Sequence, residues 1–363
     1  MQLRPFGHQV RGPAGQGAVQ HRAGGDVDLG GSAYSAGLEA PIKHSHDFRC
    51  WPGYGESVPA PRREDSSPVS PYIPLPAGLA EPRSSAAAVF DRIAGLYDQA
   101  RPGYPPEAVT DLVRICGVGS SSRVLEIGCG TGQLTRDLAP NGARIVCVEV
   151  GSSLADAARA NLGRWPNVEV VTTRFEDLDV PTSSFDLVVS ATAFHWVDPE
   201  VSYAKAAALL DEQGKLALLT NAHSRGGTHT DERIAEPIRD LHRRLAPEVG
   251  DWDFPTAEDI QHRAQAGGDI ASVWARVERR LSDPPPLEQL FGQPTVKTYP
   301  WLATYDRNAY LAMLSSQSSY ALMDQVRHDE LLASIGTLID EKLAGTVTKE
   351  YVTVMAIAAR APG

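Results

Sequence analysis

The sequence predicts an α/β protein built on an open, mostly parallel sheet. Three observations carry that prediction. Apolar strand-like runs alternate with short helical stretches through the middle of the chain. The first such run passes directly into a glycine-rich turn. Acidic or polar residues stand just past the ends of successive runs. Strands and helices alternating at this spacing form βαβ units with right-handed crossovers.

Taken in order, residues 1–84 come first and differ from the rest. Of these 84 residues 23 are Gly or Pro, and no apolar period of 2 or 3.6 persists. Such a stretch cannot bury enough surface to offset the entropy of ordering it, so a disordered, inert extension is expected. From Ser85 the pattern changes. Phe90–Tyr97 reads as a short helix, Arg101–Pro106 breaks it, and Pro105 and Pro106 open a second helix to about Cys116. Strands are expected at Arg123–Ile127, Arg144–Val148, Val168–Thr172, Phe185–Ser190 and Lys215–Thr220, with helices at 132–139, 152–163 and 201–210. Residues 223–290 then read as polar helices, Asp231–Leu245, Thr256–Ala266 and Ile270–Leu281, closed by Pro284–Pro286. Two more strands, Thr295–Tyr299 and Tyr351–Ala358, follow with helices at 306–315 and 327–343. The expected organisation is a 1–84 extension, an 85–222 core, a 223–290 helical insertion after strand five and a 291–363 segment completing the sheet. An insertion there can cover the carboxyl edge, where open α/β sheets bind ligands, so it is a candidate substrate lid.

Composition narrows the function. The 363 residues are 42% hydrophobic and 22% charged, an ordinary globular balance with room for a substantial core. A net charge of −11 argues against a protein that grips phosphate backbones. Lysine is confined to positions 43, 205, 215, 297, 342 and 349, so most of the 34 basic residues are Arg. Cys50, Cys116, Cys129 and Cys147 form no metal-ligating spacing with one another or with His, so no metal is expected. No apolar run has the length of a signal peptide core or a membrane span. The expected setting is therefore cytoplasmic and reduced, with a small-molecule partner and neither nucleic acid nor membrane. Monomer and homodimer are equally compatible with the sequence.

The chemistry is concentrated in Val124-Leu125-Glu126-Ile127-Gly128-Cys129-Gly130-Thr131-Gly132. A strand ends in an acid and turns through alternate glycines, which let a ligand approach without meeting a Cβ. Glu126 places negative charge where a pyrophosphate would sit, and suits a cationic ammonium group instead. Glu149, 21 residues after Gly128, ends the second strand, where a carboxylate can accept hydrogen bonds from ribose hydroxyls. The third strand leads to Phe175 and Glu176, suited to an adenine ring and its amino group. The fourth leads to Ala193-Phe194-His195-Trp196-Val197-Asp198-Pro199.

These residues resemble the class I S-adenosylmethionine-dependent methyltransferases. The Tyr97–Pro105 start and the Ala193–Pro199 turn are similar to the bacterial trans-aconitate methyltransferase and methyltransferase type 11 domain group. The resemblance spans roughly 88–222 and, more loosely, 287–360. It implies a Rossmann-like seven-strand sheet with an antiparallel last strand, helices on both faces, and S-adenosyl-L-methionine as cofactor. It places cofactor contacts at Glu126, Gly128, Cys129, Gly130, Gly132, Glu149, Phe175 and Glu176. One departure stands out: Arg174 occupies a position where many relatives carry an acid.

His195 is the candidate general base, since an imidazole titrates near neutrality; alternatively it packs the pocket mouth with Trp196. Tyr97, Arg101 and Trp196 are candidates for the acceptor pocket, with Tyr97 and Arg101 equally able to fix the N-terminal helix. An arginine there suits a carboxylic acid acceptor. Two other readings remain: a cofactor-binding regulatory protein without turnover, and a nicotinamide-dependent oxidoreductase. The latter is disfavoured by glycines spaced G-x-G-x-G rather than G-x-G-x-x-G.

Overall fold

The computed structural model describes residues 100–225, 232–249, 254–278, 289–321 and 323–362, all within one unit spanning His46–Gly363. The 1–84 extension, the Phe90–Tyr97 helix, Tyr97, Trp252 and Pro284–Pro286 lie outside the described residues.

Seven strands form one sheet in the order β3-β2-β1-β4-β5-β7-β6. They are β1 Arg123–Ile127, β2 Arg144–Glu149, β3 Val168–Thr172, β4 Phe185–Ala191, β5 Leu210–His223, β6 Thr295–Asp306 and β7 Thr346–Ala359. β1 pairs in parallel with β2 and β4, β2 with β3, and β4 with β5. β7 runs antiparallel to both β5 and β6, so it alone opposes the others. This is the mostly parallel sheet with an antiparallel last strand that the resemblance implied.

Alternation along each strand sorts the core into two faces, because successive side chains point to opposite sides. Val124, Leu187, Val189, Ala217 and Leu219 pack beneath helices α1 (Pro106–Cys116), α2 (Thr135–Leu138) and α3 (Ser152–Leu162). Leu125, Val188, Leu216 and Leu218 face α4 (Pro199–Leu209) and α7 (Ile270–Val277). α1 begins where expected, with Pro106 at its first position, and stops at Gly117, whose φ of +70° ends the helix in the left-handed region.

Three strands are longer than the sequence suggests. Pro300 reads as a stop for β6, yet the strand continues to Asp306. It can do so because β6 is the sheet's edge, where a missing N–H costs no ladder bond on the open side. β5 begins five residues early because Leu210 pairs with Phe185 before the register shifts between Phe185 and Leu187. β7 begins at Thr346, where it pairs Asp306 of β6.

The helices of 223–290 do not pack as one body. α5 (Glu232–Leu245) joins α8 (Arg307–Ser315) and α10 (Gln325–Leu343) in a cluster with β6 and β7. α6 (Ala257–Gln265) covers Val352 and Val354 of β7, while α7 enters the main core. A short helix, α9 (Ser318–Ala321), was not anticipated from the pattern.

Candidate functional site

The carboxyl ends of the five parallel strands open onto one cavity of about 430 Å³, within the range of small-ligand sites. Each strand end contributes a wall. Gly128 and Gly130 follow β1, Glu149 ends β2, Phe175 and Glu176 follow β3, His195 and Trp196 follow β4, and Asn221 and His223 end β5. Phe254, Arg263 and Glu278 enter from the 223–290 segment, and Arg101 from the N-terminal side. An adjoining hollow of about 50 Å³ shares Arg101, Gly128, Gly130 and His223, and is lined besides by Glu126, Cys129 and Gln133.

The glycine turn is fixed by the backbone it must carry. Gly128 (φ +68°) donates its N–H to Val148 O at 2.8 Å, and a Cβ there would sit 2.4 Å from the Ala193 Cβ. Only glycine fits that approach. Gly132 serves differently: it lines neither cavity, and a Cβ on it would press on the Leu162 side chain at 2.9 Å. Its φ of +93° and its packing against Leu162 call for glycine there, whereas the resemblance grouped it with the cofactor contacts.

Glu126 is 1% exposed, and its Oε2 accepts a hydrogen bond from Thr135 Oγ1 at 2.5 Å. Burial pushes its carboxyl up to about 7; the Thr135 hydroxyl opposes this, while Asp137 and Glu149 add to it. A buried carboxylate in an electronegative hollow gains most from a cation, and the ammonium of an amino acid moiety is such a group. Glu149 organises the turn. Its Oε2 accepts from Gly130 N–H and its Oε1 from Gly151 N–H, both at 2.9 Å. Its carboxylate lines the main cavity, where ribose hydroxyls can reach it. These features fit S-adenosylmethionine: Glu126 for its ammonium, Glu149 for its ribose, and the Cβ-free turn for close approach.

Phe175 is 3% exposed, with the Lys205 ammonium 5.5 Å from its ring centre. Glu176 accepts a 2.9 Å hydrogen bond from Asp198 N–H and pairs with Arg174 at 3.2 Å. Burial raises the Glu176 carboxyl, but the Asp198 amide and the Arg174 guanidinium outweigh it, and the net direction is down. Arg174, the departure from the family pattern, thus favours the charged form of Glu176, while the Asp198 amide ties Glu176 to the segment that carries His195.

On the other side of the cavity, His195 Nδ1 lies 3.4 Å from Glu278 Oε2, and the His195 ring tilts against Trp196 at 5.1 Å. Arg101 donates to Ser316 O at 2.9 Å. His223 stacks on Phe254 at 5.1 Å, and burial, then Lys349 and Arg101, hold it well below its ordinary value. Lys349 is 1% exposed, 4.9 Å from the Phe254 ring and 5.6 Å from Tyr351.

Of the sequence candidates, Gly128, Gly130, Glu149, Phe175, Glu176, His195, Trp196 and Arg101 share the main cavity, and Glu126 and Cys129 line the adjoining hollow. Several lining residues escaped the reading. His223 had a findable signal, its place at the end of a parallel strand. Glu278 had none, since only the tertiary fold brings it near. Thr192 escaped too: it carries φ +58°, uncommon for a β-branched residue, and its Oγ1 lies 2.9 Å from Tyr104 Oη. Among the described residues no cluster of metal-ligating side chains occurs, and no helix is long and apolar enough to cross a membrane.

Residues 125–218 match the methyltransferase domain family. An uncharacterized methyltransferase of Mycobacterium tuberculosis is 34% identical over 145 residues, covering 40% of this chain and 54% of the relative. The malonyl-[acyl-carrier protein] O-methyltransferase of Geobacter sulfurreducens is 36% identical over 99 residues, 26% of this chain and 37% of that one. The chain thus spans about half the length, or less, of these curated relatives. A candidate type II methyltransferase structure from Anaeromyxobacter dehalogenans is 22% identical, with a TM-score of 0.48, covering 72% of this chain and 99% of that one. With the sheet order, the glycine turn and the matched segment in hand, residues 125–218 match a methyltransferase domain and are similar to the class I S-adenosylmethionine-dependent methyltransferases, and the cavity at their strand ends fits S-adenosylmethionine.

Proposed function

We propose that the protein transfers a methyl group from S-adenosylmethionine to an oxygen of a small-molecule acceptor that carries a carboxylic acid. The observation that carries this reading is the mixed lining of the one cavity. Beside the glycine turn, Glu149, Phe175 and Glu176, which suit the cofactor, it is lined by the guanidiniums of Arg101 and Arg263, which suit an anionic group. The resemblance to the trans-aconitate group points the same way, and the Geobacter relative is itself named as an O-methyltransferase.

The cofactor supplies a methyl group already activated on a cationic sulfur. What remains for the chain is to align the acceptor with that methyl and exclude water, which can lower a barrier by about 7–11 kcal/mol in favourable cases. Glu126 and Glu149 would hold the cofactor's two polar ends, and the glycine turn would let it lie close. Arg101 and Arg263 would orient the acceptor, with Phe254 and Pro255 as the wall that shuts out solvent. The free thiols at Cys116, Cys129 and Cys147 suit a reducing compartment.

Calorimetric titration tests the cofactor half: S-adenosylmethionine and S-adenosylhomocysteine should bind, and NAD should give no heat. Tight NAD binding without S-adenosylmethionine binding would overturn the reading. Methyl transfer from labelled cofactor into an extract of small metabolites tests turnover, and separates an enzyme from a regulatory protein that only holds the cofactor.

A further inference from the structure

His195 and Glu278 reach the cavity from distant parts of the chain, one from the turn Phe194–Trp196 after β4, the other from the end of α7. His195 Nδ1 stands 3.4 Å from Glu278 Oε2, an ion-pair distance and not a made hydrogen bond, with the two side chains 14% and 15% exposed. Glu278 is the C-terminal cap of α7, its own N–H bonded to Trp274 O. There the helix's partial negative charge works against an anion. The other carboxylate oxygen, Oε1, is buried with no hydrogen-bond partner among the described residues. A carboxylate so placed gains most from a cation beside it, and His195 becomes one when it takes up a proton. Other charged groups also face the cavity around this ring: Arg263 on α6, the Arg174–Glu176 pair after β3, and Arg101.

We propose that His195 and Glu278 form the proton-accepting pair of this methyl transfer, and that the methylated group is a phenolic or enolic hydroxyl of the acceptor, not its carboxylate. The proposal rests on the methyltransferase reading above and says which oxygen reacts. A carboxylate is already ionised near neutrality and would give the pair nothing to remove. A protonated amine would meet the guanidiniums of Arg101 and Arg263 in the same cavity. A hydroxyl is neutral on arrival and must lose its proton as it reacts, which is the case that calls for a base. Trp196 and Phe254 line the same cavity and offer flat walls to an aromatic or enolic ring.

In the step, the acceptor oxygen bonds to the methyl carbon as the carbon–sulfur bond breaks. That electron pair stays on sulfur, which becomes a neutral thioether. The hydroxyl proton passes to Nε2 of His195, the nitrogen opposite the one beside Glu278, and the imidazolium later releases it to solvent. Glu278 stabilises the imidazolium and fixes the ring's orientation, so it acts as a positioning residue. His223, the other histidine of the cavity, is unsuited to this work, because burial, Lys349 and Arg101 all oppose its charged form.

Two measurements test the proposal. In protein saturated with S-adenosylhomocysteine, the His195 resonance, assigned by its loss in His195→Gln, is titrated by NMR. Glu278→Gln should lower its midpoint by about one unit, a tenfold loss of proton affinity. Glu278→Asp should restore part of that shift, while the His223 resonance stays put. An unmoved His195 midpoint in Glu278→Gln overturns the pair. Labelled methyl products from a metabolite extract, and from 4-hydroxybenzoate, 4-methoxybenzoate and benzoate as probes, are then treated with mild alkali. The label should remain in an alkali-stable ether, and 4-hydroxybenzoate should be the only probe to receive it. Release of the label as methanol marks a methyl ester and overturns the hydroxyl assignment while leaving methyl transfer intact. Failure of S-adenosylmethionine to bind would instead sink the underlying reading.

Discussion

Glu126 is a buried acid held up to about 7, and its titration is coupled to both ligand and fold. Below pH 7 the free protein holds this group protonated, yet an ammonium partner needs the carboxylate. Cofactor binding must then expel a proton, so affinity should fall about tenfold per unit of pH below about 7 and level off above it. Calorimetry from pH 5 to 8 checks this, and Glu126→Gln should abolish the slope. The sign for stability is opposite. Because the folded value lies above the unfolded one, the contribution of Glu126 is fully present below about pH 4.5 and is lost as pH rises through about 7. The cofactor-free protein should lose on the order of 3 kcal/mol across that window. Glu126→Gln should flatten the melting temperature against pH, and an unchanged profile would mean that another group carries it.

Glu149 has two tasks that Ala would end together. It accepts the N–H groups of Gly130 and Gly151, and it lines the cavity. Glu149→Ala should therefore weaken S-adenosylmethionine by about 1–3 kcal/mol and also lower the melting temperature, since the glycine turn loses its anchor. A variant that keeps full affinity would argue that the ribose lies elsewhere.

Among the elements, the 223–290 segment shows how a packing role and a ligand role separate within one stretch. Trp274 on α7 is 3% exposed and belongs to the main core, and it does not line the cavity. Trp274→Ala should cost about 3–5 kcal/mol, read as a lower denaturant midpoint, and so is unsuited to probing acceptor choice. Phe254 does line the cavity. Phe254→Ala should raise the acceptor KM while sparing cofactor affinity, as expected of a lid wall. Unaltered acceptor kinetics in a stable Phe254→Ala protein would remove the lid from the account. A second element-level tie joins β5, β6 and β7 across the sheet's far side. Thr353 accepts from Trp301 Nε1 at 2.9 Å and donates to Asn221 Oδ1 at 2.6 Å. Thr353→Val keeps the shape but strands both partners, and should destabilise by about 1–3 kcal/mol. Since Asn221 lines the cavity, the same change should disturb binding there, and a normal melting curve would contradict the tie.

For the whole molecule, removal of residues 1–84 should leave cofactor affinity and melting temperature nearly unchanged, because the Gly/Pro-rich composition promises no core. A fall of many degrees would show that the composition misleads.

The sequence by itself determined the sheet and the cofactor side of the cavity. Strand period, the glycine turn and the acids after β1 and β2 are local signals, each set by residues within a few positions of one another. That is why β1 and β3 begin and end where the pattern puts them. It is also why Gly128, Gly130 and Glu149 line the main cavity, with Glu126 in the adjoining hollow. The tertiary structure alone decided the rest. Pro300 could be read as part of β6 only once that strand was known to lie at the sheet's edge. Gly132 could be recognised as a packing glycine only once Leu162 was seen to press on it. The rest of the cavity lining comes from Arg101, His223, Phe254, Arg263 and Glu278, which lie far apart in the chain and share no spacing that a local pattern could reveal. Glu278 meets His195 because Ile270, Val273 and Trp274 bury α7 in the main core, far along the chain from His195.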